Sequence, residues 1–278
     1  MTRCVPIREV THLRLAMPAD DSWVEDFGWV PVSASELHLA CRYYPIAMRV
    51  EKRKRQLGLL LHSRYLSKAP LDGSGKWRGS YRPIALRCFP FEASRVTDDP
   101  LSDIFIDAGS KYLSPTAGTP IVDETGQPDR LLIEMHRLFG LLERSQEAFG
   151  SALDQYFIAN LLVPLAMEND DESPLYVIDP VRFRQLDRAA LGAMTRHSFL
   201  SVDVAVAWLF SLQNLRSDHL PKEISRARAQ PFTSASIEPD SILMDDLSLV
   251  LDDGELISLS NIDIARAEAQ PEHAAPPR

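Results

Sequence analysis

An α+β fold is predicted for this 278-residue chain, and three observations predict it. As far as Pro128, apolar residues come in short runs or at period two between turn residues. From Asp129 they recur at the spacing of helices. One segment, Val202 to Leu215, is apolar almost all round, so it needs cover that only the first half of the chain can supply. The expectation is a strand-rich N-terminal half and a helical C-terminal half sharing one core over residues 1–220, with a C-terminal extension over 221–278. An apolar content of 45% is ample for that core.

The elements follow in order. Ser33-Ala34-Ser35-Glu36 is a capping-box pattern, and Leu37, Ala40, Cys41 and Tyr44 follow at helical spacing, which predicts a short helix from about Ala34 until Pro45 stops it. Leu57-Gly58-Leu59-Leu60-Leu61 reads as a strand, and Asp72-Gly73-Ser74-Gly75 after it as a turn. Ser102 to Asp107 alternates with period two and reads as another strand. Leu131, Leu132, Met135, Leu138, Phe139 and Leu142 then form one stripe of a helix, with Glu134, Arg137, Glu143 and Arg144 mostly opposite. Leu175 to Ile178 is extended and runs into Asp179-Pro180, an N-cap followed by a first helical position. Helical segments are expected over Val181 to Thr195 and Val202 to Leu215, with Trp208 in the core. Beyond Pro221, a polar and Ser/Pro-rich stretch leads to Leu247–Leu251 and Glu255–Leu259 around Asp252-Asp253-Gly254, a hairpin pattern, and the end is composed like a disordered tail.

The richest stretch is Tyr81-Arg82-Pro83-Ile84-Ala85-Leu86-Arg87-Cys88-Phe89-Pro90-Phe91, which gathers aromatic rings, two prolines and two guanidinium groups. Tyr43-Tyr44-Pro45-Ile46-Ala47-Met48-Arg49 resembles it upstream, but the flanking residues differ and no repeat is inferred. Proline pushes the residue before it toward extended geometry, so each box is expected to present its side chains from a stiff extended segment. Two uses compete: the rings can bury against the sheet while an Arg pairs with a carboxylate, or the face can bind a ligand. Arg and aromatic side chains dominate interface hot spots, which makes Tyr44, Trp77, Tyr81, Arg82, Arg87, Phe89 and Phe91 the candidate binding residues.

Other chemistry finds little in the sequence. The net charge of −9 has the wrong sign for general nucleic-acid binding. Cys4, Cys41 and Cys88 match no metal knuckle or redox pair, and they read as reduced thiols. Glu36-x-His38 and Glu134-x-His136 put their side chains on different sides of a helix, so no metal ligation is expected, and no cofactor motif or catalytic set is present. Ser74 lacks a nucleophile-elbow context, and the Asp98-Asp99 and Asp170-Asp171-Glu172 carboxylates read as caps or solvated charge. The basic run Arg49 to Arg55 reads as a solvated loop, with contact to anionic lipid or a phosphorylated partner as the alternative. With no apolar leader at Met1 to Glu9 and no long apolar span, a cytoplasmic protein with at most peripheral membrane contact is expected.

Taken together, the chain resembles the SapC-like family of bacterial proteins associated with surface-layer protein secretion. The resemblance runs through Phe27-Gly28-Trp29-Val30-Pro31, the Glu36 helix and Tyr44-Pro45-Ile46, then Trp77 and the Tyr81 to Phe91 box. It continues through Leu113 to Pro128 and from Tyr176-Val177-Ile178-Asp179 to Trp208 and Ser211-Leu212-Gln213-Asn214-Leu215, spanning roughly Val10 to Leu220. It implies a non-enzymatic accessory protein whose partner is a polypeptide or an export-machinery component. The alternative is an enzyme, or an enzyme's partner, in modification or use of surface saccharides or peptides. A deep pocket lined by the rings would favour the enzyme, an open aromatic patch the adaptor.

Overall fold

The structure is a computed structural model that describes residues 4–219, apart from 17, 52–53, 80, 166–173 and 197. All of these belong to the first of the two units into which the chain divides, Met1–Pro231. The hairpin pattern at 247–259 lies outside the described residues.

Strand β1 (Cys4–Pro6) is the first described element, β2 (Arg14–Leu15) follows, and β3 (Trp29–Pro31) leads into the capping box. There a 3-10 turn, Ala34–Glu36, passes into a single α-helical turn, α1 (Leu37–Ala40). The expected helix to Pro45 is thus shorter, giving way to turns from Cys41. Strands β4 (Ile46–Glu51) and β5 (Lys54–Leu60) pair antiparallel from Ile46 opposite Leu59 to Glu51 opposite Lys54. This corrects the reading of Arg49 to Arg55 as a solvated loop. Arg49 lies over the Trp29 ring at 4.2 Å and Arg55 over Phe157 at 4.3 Å, so both long side chains cover apolar surface that a count of charges misses.

Helical turn α2 (Ile84–Arg87) replaces the extended segment expected at the second box. Pro83 supplies the extended residue before the turn and Ile84 starts it, so the restriction that proline imposes falls outside the box's centre. The Phe89–Pro90 bond is cis. After β6 (Glu92–Ala93), Asp99 caps α3 (Pro100–Asp103) by accepting from Leu101 N at 3.1 Å. The period-two stretch narrows to β7 (Ile104–Asp107), with β8 (Leu113–Ser114) and β9 (Thr119–Pro120) beyond it.

Helix α4 (Arg130–Ile158) runs 29 residues, about 43 Å. Strands β10 (Leu162–Pro164) and β11 (Leu175–Ile178) follow it. Asp179 then caps α5 (Pro180–Arg184) through Val181 N at 2.8 Å, and Asp187 caps α6 (Arg188–Thr195) through Ala190 N at 2.7 Å. The last α-helix among the described residues is α7 (Leu200–Ser211).

The central sheet is antiparallel, in the order β10-β11-β4-β5-β3, and two three-stranded sheets have the orders β1-β7-β6 and β8-β2-β9. Helix α4 joins two apolar clusters. Its first half sends Leu132, Met135, Leu138 and Leu142 among Val5, Ile7, Ile104, Ile106 and Phe91. Its second half sends Phe149, Ala152, Leu153 and Tyr156 onto the central sheet beside Trp208. The strand-rich and helical halves are therefore covered by one continuous element. Gln146 pins α4 to the sheet, accepting from Leu57 N at 2.9 Å and donating to the carbonyls of Val32 and Leu57.

Candidate functional site

The site grows from the capping box. Ser33 N donates to Glu36 Oε1 at 2.9 Å, as the sequence pattern requires. The other oxygen, Oε2, accepts from Ile84 N at 2.8 Å and from the Tyr81 hydroxyl. Glu36 is only 4% exposed, so three donors from two distant segments converge on one buried carboxylate. Burial, followed by the Glu36 charge, pushes the Tyr81 phenol far up from its ordinary value. The buried Tyr44 phenol is also pushed far up, chiefly by desolvation.

Around this hub the backbone carbonyl of Tyr81 accepts from the Tyr44 hydroxyl at 3.2 Å and from Trp77 Nε1 at 3.1 Å. Asp21 fixes the outer layer, accepting from Arg82 Nη2 at 2.6 Å and from Trp77 N at 3.1 Å. The Arg82 guanidinium lies 5.2 Å from the Trp77 ring centre. Arg87 donates from Nε to the Arg82 carbonyl at 3.0 Å and holds its guanidinium 5.8 Å from the Tyr81 ring centre. Tyr43 lies against the same ring at 6.1 Å.

Five of the seven candidate residues thus meet in one network: Tyr44, Trp77, Tyr81, Arg82 and Arg87. Phe89 belongs to a neighbouring ring cluster, stacked on Trp23 at 3.8 Å with Phe27 and Tyr112 edge-on. Phe91 is buried in the second apolar cluster. Within the network Tyr44 and Tyr81 are buried, Trp77 and Arg82 half-buried, and Arg87 exposed. Asp21 and the buried role of Glu36 escape the sequence reading, because a Glu at the third helical position is usually solvated and Asp20-Asp21 looks like an ordinary turn.

Elsewhere the chemistry is structural. The Asp72 carboxylate accepts from Ser74 N, Ser74 Oγ and Lys76 N, closing the turn expected there, and Asp123 does the same for Thr125 and Gln127. Burial pushes the Cys88 thiol up to about 12, with the Glu36 charge adding to it, which disfavours a thiolate nucleophile. Asp103 accepts from Thr97 and sits 2.9 Å from His136 Nε2. Burial raises its pKa, but those hydrogen bonds outweigh burial and hold the carboxyl below its ordinary value. Among the described residues no group of three or more His, Cys, Asp and Glu side chains is placed to hold a metal. Also among them, no helix is long and apolar enough to cross a membrane. Two surface hollows among the described residues, of about 450 and 630 Å³, are lined by residues such as Gln213 and Arg216 in one case and Arg14 and Asp123 in the other, away from the aromatic network.

These features define an α+β protein with an arginine-and-aromatic face anchored on a buried carboxylate. The family model for SapC matches residues 8–217, and the chain belongs to that family. A search of curated proteins and a search of solved structures each returned no match.

Proposed function

We propose that this SapC-family protein is a non-enzymatic accessory in the export of surface-layer or other surface polypeptides, binding a polypeptide or an export-machinery component through Trp77, Arg82 and Arg87. The observation that carries the reading is the way both guanidinium groups are held. Arg82 is fixed by Asp21 above Trp77, and Arg87 is tied to the Arg82 carbonyl above Tyr81. Side chains ordered before a partner arrives lose less rotamer entropy on binding, and Arg and Trp are residue types that carry interface energy. Tyr44 and Tyr81 serve beneath them as packed support, while Phe89 and Phe91 pack in apolar clusters beside the network. Trp77 and Arg82 are half-buried and Arg87 is exposed, so the outer members of the network are open to a partner, which favours a contact face over an enclosed small-ligand site.

Affinity capture from the native cell with mass spectrometry identifies the partner, and single Arg82→Ala and Arg87→Ala variants then test the face. A contacting arginine is expected to cost about 2 kcal/mol or more of binding, with little change in melting. Both variants melting well below the parent, with partner binding unchanged in the folded fraction, would show that the face only holds the fold together.

A further inference from the structure

We propose that the protein docks peripherally on an anionic lipid surface through the end of the molecule where α4 finishes and α7 begins. Three large apolar side chains project there: Ile158 is 83% exposed, Phe199 71% and Phe157 53%. Two contacts bring them to one place. Ser201, two residues after Phe199, donates from Oγ to Gln155 at 2.7 Å, and its carbonyl accepts from the Tyr156 hydroxyl. Helix α7 is apolar nearly all round, yet Val206 and Phe210 also face outward, so the apolar surface continues along it. Exposed apolar surface of this kind marks an interaction site with a protein or a membrane.

Charge decides between them. The chain carries a net charge of −9, but residues 180–200 hold four arginines against one acid, Asp187. Asp187 accepts from Ala190 N as the cap of α6. Arg188 and Leu191 are exposed on α6 and Arg196 is exposed just past its end, while Met194 points into the core. Helix α6 packs along α7, and Arg182 of α5 donates to the Asn160 carbonyl just past the end of α4. From the sheet, Arg55 covers the Phe157 ring and pairs with Asp154. Asp179 is paired with Arg182 and Asp154 with Arg55, so the exposed Arg184, Arg188 and Arg196 are the cations set against the exposed Asp203, one turn past Phe199 on α7. Exposed aromatic and aliphatic side chains on elements next to an arginine-bearing helix are the composition of an interfacial lipid contact, in which the apolar groups enter the acyl boundary and the cations meet anionic headgroups. This surface is separate from the aromatic network, and its occupancy does not depend on the export reading.

The test is co-sedimentation of the full chain with vesicles of phosphatidylcholine alone or with about 30% phosphatidylglycerol, at low and high salt. Binding to the anionic vesicles is expected, weakened by salt and weak on the neutral ones. Ile158→Ser with Phe199→Ser, and separately Arg188→Glu with Arg196→Glu, are each expected to lower partitioning about tenfold or more. All four positions are exposed, so the melts should match the parent. Absence of binding to anionic vesicles at low salt would overturn the proposal, as would equal binding to neutral ones or indifference to both double variants. A dimer in sedimentation equilibrium that the Ile158/Phe199 variant dissociates, without vesicle binding, would overturn it in favour of a second copy of the chain.

Discussion

Removing the Glu36 carboxylate is expected to damage the fold more than removing the Tyr81 hydroxyl bound to it, and the structure sets the scale. In Glu36→Ala the Ser33 N–H, the Ile84 N–H and the Tyr81 hydroxyl all lose their acceptor inside a region where each residue is buried. A buried donor left unsatisfied costs about 1–3 kcal/mol. Partial relaxation and entering water lower the total for three, so about 3–5 kcal/mol is expected, a large share of a typical domain's stability. Glu36→Gln preserves shape and one acceptor oxygen, but turns an NH2 toward one of the three donors. Its expected cost is about 1–3 kcal/mol. Tyr81→Phe removes a donor and leaves the carboxylate with both backbone N–H bonds, so its cost should be smallest, about 1 kcal/mol. Urea unfolding followed by tryptophan fluorescence, with unchanged m-values, measures the series. A Glu36→Ala loss within about 1 kcal/mol of the parent, or a Tyr81→Phe loss larger than that of Glu36→Ala, would refute the claim that the carboxylate organises the box.

Gly58→Ala should destabilise by about 3 kcal/mol or more in a thermal melt, because its Cβ would lie 2.2 Å from the Trp29 ring and 2.3 Å from the Val30 carbonyl oxygen. Tyr44, Tyr81 and Tyr156 all have phenols pushed far up by burial, so each contributes stability that is complete below its unfolded value of 10.0 and is lost as pH rises above it. Stability should fall above that pH by up to about 1.4 kcal/mol per pH unit per tyrosine, and an ultraviolet titration should show their ionisation only with unfolding. A chain ending at Leu220 should keep a cooperative melt, since the SapC family model ends at residue 217 and the described residues all fall in the first of the chain's two units. An insoluble or non-cooperative product would show that the extension belongs to the fold.

Regular periodicity was readable from the sequence, and so were local caps. The α4 stripe from Leu131 to Leu142, the Ser33/Glu36 box and the Asp179-Pro180 start depend on neighbours no more than four residues apart, and the structure contains all three. What stayed hidden depends on distant partners. Nothing local says that Glu36 lies under Tyr81 and Ile84, 45 and 48 residues on, or that Asp21 holds Arg82 across 61 residues. The β4–β5 pairing was masked for the same reason, since Arg49 and Arg55 look solvated until Trp29 and Phe157 are placed beneath them. The Val202 to Leu215 segment shows the opposite failure. Its uniform apolarity predicted full burial, whereas Val206 and Phe210 face outward, and composition cannot tell a core helix from one with a surface left to cover.

The aromatic box joins stability and recognition in a way that dictates how its variants must be read. Glu36, Tyr44 and Tyr81 are buried, so their hydrogen bonds fix the backbone from which Arg82 and Arg87 project. Loss of a buried member therefore loosens the outer guanidinium groups as well as the fold, and a drop in binding there says nothing about direct contact. Arg87 is different, because it is exposed and its Nε bond runs to a carbonyl rather than to a buried charge. Its removal leaves no unpaired ion inside the protein, so its structural cost is small. A binding defect confined to Arg87→Ala thus points to contact with a partner, whereas a defect shared with Tyr81→Phe and scaling with lost stability points to support from below.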